Sequence, residues 1–589
     1  MPITKHEALL REARTRFETL AGAQSHILEA AREDMRFVYN LDEGQWPASI
    51  RAERERDGRP CLTSNKLRKF VSVVANQLIQ SRPAIGVIAV DDVSDPATAK
   101  IREDYIRHVE YASMAPAIYQ QTLEHAVAIG FGYWRILTEY AKDSFDQDIV
   151  LRAVDDPFSA YLDPDGQFGF VHVAMSKAQF EAKYPTATFP DSPALAGITQ
   201  SGYWLTNDRA YVAEYFWKEP VTTTLLLVQE RAGQVQTIKL PKDLRPEELV
   251  AQGYQVLRER KQTDYAVKWV TMSAIEVLGD EQDWPGCDIP IIEVCGDKQH
   301  FEGQWYKRSL IRDAKDPMRM YNYWLTAQTE AIALVPKAPF LVTPEMIRGH
   351  ETMWNEANTK NRPYLYFNQS GQKVPTRERP PEVQQGAMAM MKIADQDIKD
   401  VIGIFEPGLG DVSNERSGRA IKMRQDRSDL GTGHFQEQFK HALIRTGKQL
   451  IDLIPKVIDT ERLLRLQGED GVSRLVPVNQ TVIDLDTGQP RIINDLSVGR
   501  FDVQATIRVY QTRREEAAEM MVQALQYAGP VIAPYLLPLV FKYSDWPGAE
   551  EVQAIVQQVL QGQQAPAAPG AAQPSSMPAP ASPGGNPNG

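Results

Sequence analysis

Clustered carboxylates can hold a divalent metal and activate water, which is the chemistry of a nuclease or another hydrolase. This chain offers one such run, Asp395, Asp397 and Asp400. Helical spacing does not place all three on one face, and a solvated surface is the reading that the spacing favours. Asp163-Pro164-Asp165-Gly166 resembles a calcium loop only superficially. The remaining ligand positions and the closing Glu are missing, so it reads as a plain turn. The 9 histidines are scattered, and none stands in ligand spacing with another His or a Cys.

Other chemistry is equally absent from the pattern. Gly447-Lys448 is followed by Gln449, and no glycine stands five positions before Gly447, so there is no phosphate-binding loop. Gly130-Phe131-Gly132 lacks the third glycine of a dinucleotide fingerprint and precedes a strand. Neither H-E-x-x-H nor G-x-S-x-G occurs. Cys61, Cys287 and Cys295 make no disulfide framework, and they read as reduced thiols. No cofactor and no metal is expected, and the chain is not read as an enzyme.

Cations are more suggestive. Arg416, Arg419, Lys422, Arg424 and Arg427 follow closely on one another from the end of a glycine-rich loop. Two readings stay open: a solvated or intersubunit helix face, or a local basic surface that touches nucleic acid. Lys392 and Lys399 lie seven apart, which puts them on one face of a helix.

The elements that must position these residues follow from periodicity. Residues 5 to 39 read as a helix carrying Leu9, Ala13, Phe17, Leu20 and Leu28, ended by Gly44 to Pro47. A second helix runs from Ser64 to about Ser81. A third opens at Asp95-Pro96, an N-cap with proline at N1, and Pro116 divides it. Strand-like segments follow at Trp134 to Tyr140 and Ile149 to Val154.

Between about 208 and 295 the period falls to two. Tyr211 to Trp217, Thr222 to Gln229, Gln236 to Leu240, Tyr265 to Met272 and Ile289 to Val294 read as strands separated by turns. No helices alternate with them, so the class is α+β with antiparallel hairpins.

Helix returns at Asp316-Pro317 and runs to about Leu334 with Arg319 and Glu330 as its only charges beyond Pro317, which implies that protein covers most of its faces. A Pro- and aromatic-rich insert spans 336 to 381, with Tyr364 to Phe367 strand-like. A helix over Glu382 to Ile404 carries the stripe Ala387, Met391, Ala394, Ile398, Val401 and Phe405. Gly403 to Gly418 reads as a loop. Helix resumes to Leu430, breaks at Gly431 to Gly433 and continues to Ile454. Short strands between 461 and 510 precede helices at about 512–528 and 548–561. The segment 561–589, rich in Pro, Ala and Gly, reads as a disordered tail.

The 589 residues carry 65 Lys+Arg against 77 Asp+Glu, a net charge of −12. That balance argues against a protein that coats nucleic acid with its bulk surface. The charged segment Met1 to Arg14 has no apolar core of a signal peptide. The longest apolar run, Val531 to Phe541, is interrupted by Pro534 and Pro538 and falls short of the roughly 20 residues needed to span a bilayer. A cytosolic protein with no membrane partner is expected.

Several segments together resemble the portal proteins, or head-to-tail connectors, of short-tailed, podovirus-type bacteriophages. Trp305 to Pro339 carries Arg312 to Pro317, Tyr321-Asn322-Tyr323-Trp324 and Pro336-Lys337-Ala338-Pro339. Leu409 to Ile421 is a second match. Supporting segments are Gly44-Gln45-Trp46, Asn65-Lys66-Leu67 with Arg82-Pro83, Tyr133 to Tyr140 with Asp156-Pro157, Gly286 to Pro290 before Gly296, and Asp502-Val503 with Thr512 to Glu515. They keep a consistent order from about 40 to 530. Ser309 departs from the family, since a glycine is expected before Leu310-Ile311-Arg312. The short C-terminus departs too, and argues against the long helical barrel of some relatives.

The resemblance implies a homo-oligomeric ring of twelve subunits at one capsid vertex, which forms the channel for packaging and ejection of double-stranded DNA. It implies a wing at 1–304, stem helices at 305–335 and 382–404, a clip at 336–381 and a tunnel loop at 405–418. A wing return at 419–510, a crown at 511–560 and the tail at 561–589 complete the parse.

Lys392, Lys399, Arg416, Arg419 and Lys422 would face the channel and its DNA. Gly403, Gly408, Gly410 and Gly418 would let the tunnel loop move. Trp354, Tyr364, Tyr366 and Phe367 would make clip contacts with neighbours. Implied partners are the terminase large subunit, a head-to-tail adaptor, and capsid and scaffolding proteins. The protein would reside at the portal vertex of the virion, and in host cytoplasm during assembly. Twelve copies would carry about −144, so an acidic wall within a Debye length of about 8 Å would repel the duplex and keep it sliding. The competing readings are a metal-dependent nuclease or hydrolase using the carboxylates near 395–400, and a capsid or tail adaptor without a channel.

Overall fold

A computed structural model describes residues 5–80, 84–90, 95–196, 198, 201–206, 208–229, 235–240, 255–334, 338–369, 371, 373–378, 385–403, 418–468, 473–483, 490–506 and 525, with 418–432 described as backbone. The chain divides into a compact unit Met1–Ile507 and a second unit Arg508–Gly589. Every described residue except 525 belongs to the first unit. The expected helices at 512–528 and 548–561 and the tail lie outside the described residues, apart from residue 525, which is helical.

Helix α1 (Lys5–Tyr39) buries Ala13, Phe17, Leu20 and Leu28 on one stripe. A short α2 (Ala48–Arg56) precedes α3 (Leu67–Gln80), and β1 (Ala84–Ala89) follows. Helix α4 (Pro96–Ala112) starts where its cap was expected: the Asp95 carboxylate accepts from Ala97 N at 3.0 Å, with proline at N1. Pro116 does divide the helical stretch, and α5 (Ala115–Ile129) begins one residue before it.

Strands β2 (Phe131–Tyr140) and β3 (Gln147–Ala153) form a hairpin. Next come β4 (Ala160–Leu162), β5 (Phe168–Ser176), α6 (Lys177–Lys183) and β6 (Leu205–Thr206). Strands β7 (Arg209–Gln229), β8 (Val235–Lys239), β9 (Gln255–Met272) and β10 (Gln282–Trp284) follow. Two expected strands, Tyr211 to Trp217 and Thr222 to Gln229, are thus one. Lys218 N–H points to the β5 side, where it donates to Gln167 O at 2.9 Å. By the two-residue period Pro220 points its missing N–H the same way, past the end of β5, so no ladder bond is lost.

Strands β11 (Ile291–Cys295), β12 (Asp297–Phe301) and β13 (Gln304–Arg308) lead into α7 (Lys315–Leu334). The insert holds β14 (Phe340–Leu341), α8 (Pro344–Ile347), α9 (Glu351–Asn355) and β15 (Thr376–Arg377). Tyr364 to Phe367 is not strand; it is irregular chain pinned by the Trp354 indole, which donates to Tyr366 O at 2.7 Å.

Helix α10 (Gln385–Ile402) is followed by α11 (Gly418–Val457), then β16 (Arg462–Gln467), β17 (Ser473–Val478), β18 (Gln480–Ile483), β19 (Pro490–Ile493) and β20 (Phe501–Thr506). Helix α11 runs unbroken through Gly431 to Gly433. Each glycine there costs about 1 kcal/mol, and packing of buried Phe435, Phe439 and Leu443 further along outweighs it.

All the described strand pairings are antiparallel, as the α+β reading expects. The largest sheet runs β10-β9-β7-β5-β4, with β6 and β8 also on β7. A second is β11-β2-β3, and β1 pairs with β20, which joins residues 84–89 to 501–506. Phe17 sits in the core among Tyr161, Phe170 and Trp204, with ring centroids 5.1, 5.3 and 5.2 Å away.

Two glycines that failed as ligand motifs prove to be packing devices. A Cβ on Gly132 would lie 2.4 Å from Thr122 O, so glycine lets β2 press on α5. A Cβ on Gly447 would lie 2.6 Å from a Val503 methyl, so glycine lets α11 rest on the β1–β20 pair.

Candidate functional site

Helices α7 and α10 pack along one another and flank the insert. They carry most of the described residues to which the sequence assigned a role. On α7 the buried positions Met318, Asn322 and Thr326 recur every fourth residue, which makes one face. Two of them are polar, and each is satisfied by the segment 45–64. Asn322 Oδ1 accepts from Ser64 N at 2.9 Å, and its Nδ2 donates to Gln45 Oε1 at 2.8 Å. Thr326 Oγ1 accepts from Leu62 N at 3.1 Å. One turn on, Glu330 pairs with Arg54, and with Arg59 at 2.9 Å.

At the root of α7 lies a carboxylate that sequence reasoning missed. Asp34 is 0% exposed. Its Oδ2 accepts from Ser309 Oγ at 2.7 Å and from Arg312 Nη2 at 2.7 Å, and Lys315 Nζ is 2.6 Å from Oδ1. Ser309 therefore supplies a hydrogen bond that a glycine would not. The signal was present in the sequence: Asp34 continues the stripe of Ala31 and Val38, where an apolar residue is expected. Helix α7 itself starts at Lys315, so Asp316 is in the first turn and accepts from Arg319 Nη1 at 3.0 Å instead of capping.

Across the pair, α10 buries Ala387, Ala394, Ile398 and Ile402. The expected stripe ended on Val401, but Val401 is exposed and Ile402 takes its place. Phe405 lies outside the described residues. Asp395, expected on a solvated surface, is instead half-buried and paired with Lys66 and with Lys399 at 3.4 Å. Burial alone would raise its pKa, yet the two ammonium groups bring it below the usual value. Asp400 accepts from Gln396 Nε2 at 2.8 Å. Among the described residues no group of three His, Cys, Asp or Glu could hold a metal ion, so the hydrolase reading gains nothing from this helix.

The proposed channel residues are not equivalent. Lys392 is exposed, whereas Lys399 is half-buried beside Asp395. Gly403 closes α10 at φ +76, its N–H donating to Lys399 O at 2.9 Å, a conformation glycine adopts without strain. Gly408, Gly410 and Arg416 lie outside the described residues. Gly418, Arg419 and Lys422 fall in the first turns of α11, where only backbone is described.

In the insert, Trp354 is half-buried and packs edge-on against Phe340 with centroids 5.4 Å apart. Tyr364, Tyr366 and Phe367 are exposed, as are Leu341 and Val374. The helix pair is apolar on its outside as well: Met320, Tyr323 and Ile332 on α7, and Met388, Ile393 and Val401 on α10, all stand exposed. The expected cover over α7 is therefore not supplied by this one chain.

Deeper in the body, Glu293 pairs with Lys307 and accepts from Tyr133 OH at 2.8 Å. Burial opposes its charge, but the Lys307 ammonium prevails and holds its pKa at about 2. Burial pushes the neighbouring Cys295 thiol up to about 12, so it is inert as a nucleophile. No described helix is long and apolar enough to cross a membrane.

Comparison with known proteins agrees with the segments singled out above. Residues 14–585 match the phage P22-like portal protein family. The chain is also similar to a protein named portal protein from Acyrthosiphon pisum secondary endosymbiont phage 1, at 23% identity over 548 residues, covering 87% of this chain and 74% of the relative. A match that takes in the body, the helix pair and the insert leaves one conclusion: the chain belongs to the phage P22-like portal protein family.

Proposed function

We propose that this protein is the subunit of a homo-oligomeric ring, of twelve copies on the family pattern, that forms a channel for double-stranded DNA at one capsid vertex. The family match over residues 14–585 carries this reading. Its role is structural, as a component of the virion. The terminase large subunit supplies the motor and docks on the clip, together with the head-to-tail adaptor, while capsid and scaffolding proteins surround the wing.

On this reading residues 1–304 form the wing. The β1–β20 pairing, which returns 501–506 to the N-terminal body, supports counting 419–510 with it. The stem is α7 and α10, whose outward apolar side chains are what a neighbouring subunit would cover. The clip is the insert 336–381 with its exposed tyrosines. The tunnel loop 405–418 and crown 511–560 complete the parse, and Lys392, Lys399, Arg416, Arg419 and Lys422 offer transient phosphate contacts inside an otherwise acidic ring.

Lys392 is the cleanest probe of the lumen, because it is exposed and lies outside the Lys66–Asp395–Lys399 group. The change Lys392→Glu should leave ring assembly intact and alter packaged genome length or retention. Wild-type packaging and infectivity in that variant would remove Lys392 from the channel wall.

A further inference from the structure

Phe145 is 99% exposed, at the tip of the β2–β3 hairpin. The turn beneath it is ordered. Ala141 N donates to Asp146 O at 2.8 Å, Ser144 N to Ala141 O at 3.1 Å, and the Ser144 hydroxyl to Asp146 Oδ2 at 2.9 Å. A large ring held outward on a rigid turn loses little entropy when it docks, which suits an anchor residue. Tyr140 beside it is exposed too, and Asp143, Asp146 and Asp148 make the tip acidic against a single Lys142.

At the opposite end of the same hairpin is a cleft of about 580 Å³. Its walls include Val171, Ala174, Tyr211 and His172, with Arg135 and Arg209 as its cations. His172 is 5% exposed, ringed by Phe17 and Trp204 at 4.9 and 5.0 Å, and its Nε2 has no hydrogen-bond partner. Arg135 pairs with Glu214 through Nη2, and its buried Nε is likewise without a partner. The two carboxylates of the cleft are engaged: Asp155 accepts from Gln121 Nε2 at 3.2 Å, and Asp156 from Phe158 N at 2.9 Å. The cleft thus offers an aromatic and aliphatic floor with cations to an acidic, aromatic visitor.

The tip cannot fill its own cleft. Strand β3 runs 7 residues from Gln147 at the tip to Ala153 at the cleft, about 20 Å of extended chain. We infer that Phe145 of one copy seats in the cleft of the next, with Asp143 and Asp146 approaching the cleft arginines. Such a contact joins two different patches, so it is head-to-tail and propagates around a ring instead of closing a two-fold dimer. It deepens the ring reading and rests on it.

The test is a pair of cysteines, Phe145→Cys and Thr206→Cys. Phe145 and Thr206 are both exposed, and Thr206 lines the cleft. Oxidation of the assembled double variant should give a ladder of covalent dimers and higher species on non-reducing gels, beyond anything in either single variant or in wild type with its exposed Cys287. Phe145→Asp should raise the protein concentration needed for half-assembly at least tenfold, while Phe145→Tyr should restore it. Rings imaged in the same samples without a ladder, or unchanged assembly of Phe145→Asp, would overturn the knob-and-cleft contact and leave the ring standing. A ladder without closed rings would keep the contact and refute the ring, and neither would refute both.

Discussion

The body of the protein and its helix pair bury opposite kinds of side chain. In the body, Trp134 is fully buried against Tyr119 and Phe439, at 5.0 and 6.3 Å, and its indole donates to Thr446 Oγ1 at 3.1 Å. Along α7 the face turned to the N-terminal segment is polar, while the apolar side chains point outward. A domain that folds alone buries its apolar surface. One that leaves its stem helices greasy outside is waiting for a neighbour. The contrast teaches that the body carries the stability of the single chain, and the helix pair carries assembly.

The largest effect that would sharpen this contrast is in the body. Trp134→Ala should cost about 3–5 kcal/mol, read as a lowered denaturant midpoint of the unassembled chain. A loss under about 1 kcal/mol would mean that the body is not the stable part. Next, Asp34→Asn should cost about 3 kcal/mol, because Arg312 and Lys315 lose the charge they surround. The same denaturant series measures it, and a neutral result would show that the root of α7 is not held by charge.

A pH series separates the buried pair in the body from the rest. The Glu293 pKa is depressed to about 2 from the ordinary 4.5, so its contribution is present above the higher value and is lost as pH falls toward the lower one. Glu293→Gln should therefore be less stable than wild type by about 2–3 kcal/mol at pH 7. That difference should shrink as pH falls from 4.5 to about 2, and a pH-independent difference would show that packing and not charge is lost.

The smallest effect on the single chain is the most telling for the helix pair. Replacing Tyr323 and Ile332 by serine should move the stability of the unassembled protein by no more than about 0.5 kcal/mol each. It should also raise the concentration at which oligomers form, which sedimentation reads directly. A large loss of single-chain stability would place those side chains in an intramolecular core instead.

Much of this was legible in the sequence because the signals were local. Asp95-Pro96 marks a helix start through cap and ring geometry alone, and Pro116 marks a break. The apolar stripe of α1 named its buried residues. The hidden features depend on partners distant in sequence. Pro220 sits inside a 21-residue strand because β5 ends before reaching it, and nothing near Pro220 says where β5 ends. Val401 and Ile402 compete for one buried position, and only the placement of α7 decides between them. Asp395 looked solvated because Lys66, 329 residues away, could not be seen. Asp34 looked like a surface acid until Ser309, Arg312 and Lys315 came to it.

Closure of many copies of this chain into a ring around a passage for DNA is the central claim. Electron microscopy of the purified, assembled protein tests it most directly. Closed rings are expected, with an open centre wide enough for a duplex, on the order of 20–40 Å. Solid particles, open filaments or rings with a closed centre under conditions of full assembly would contradict it.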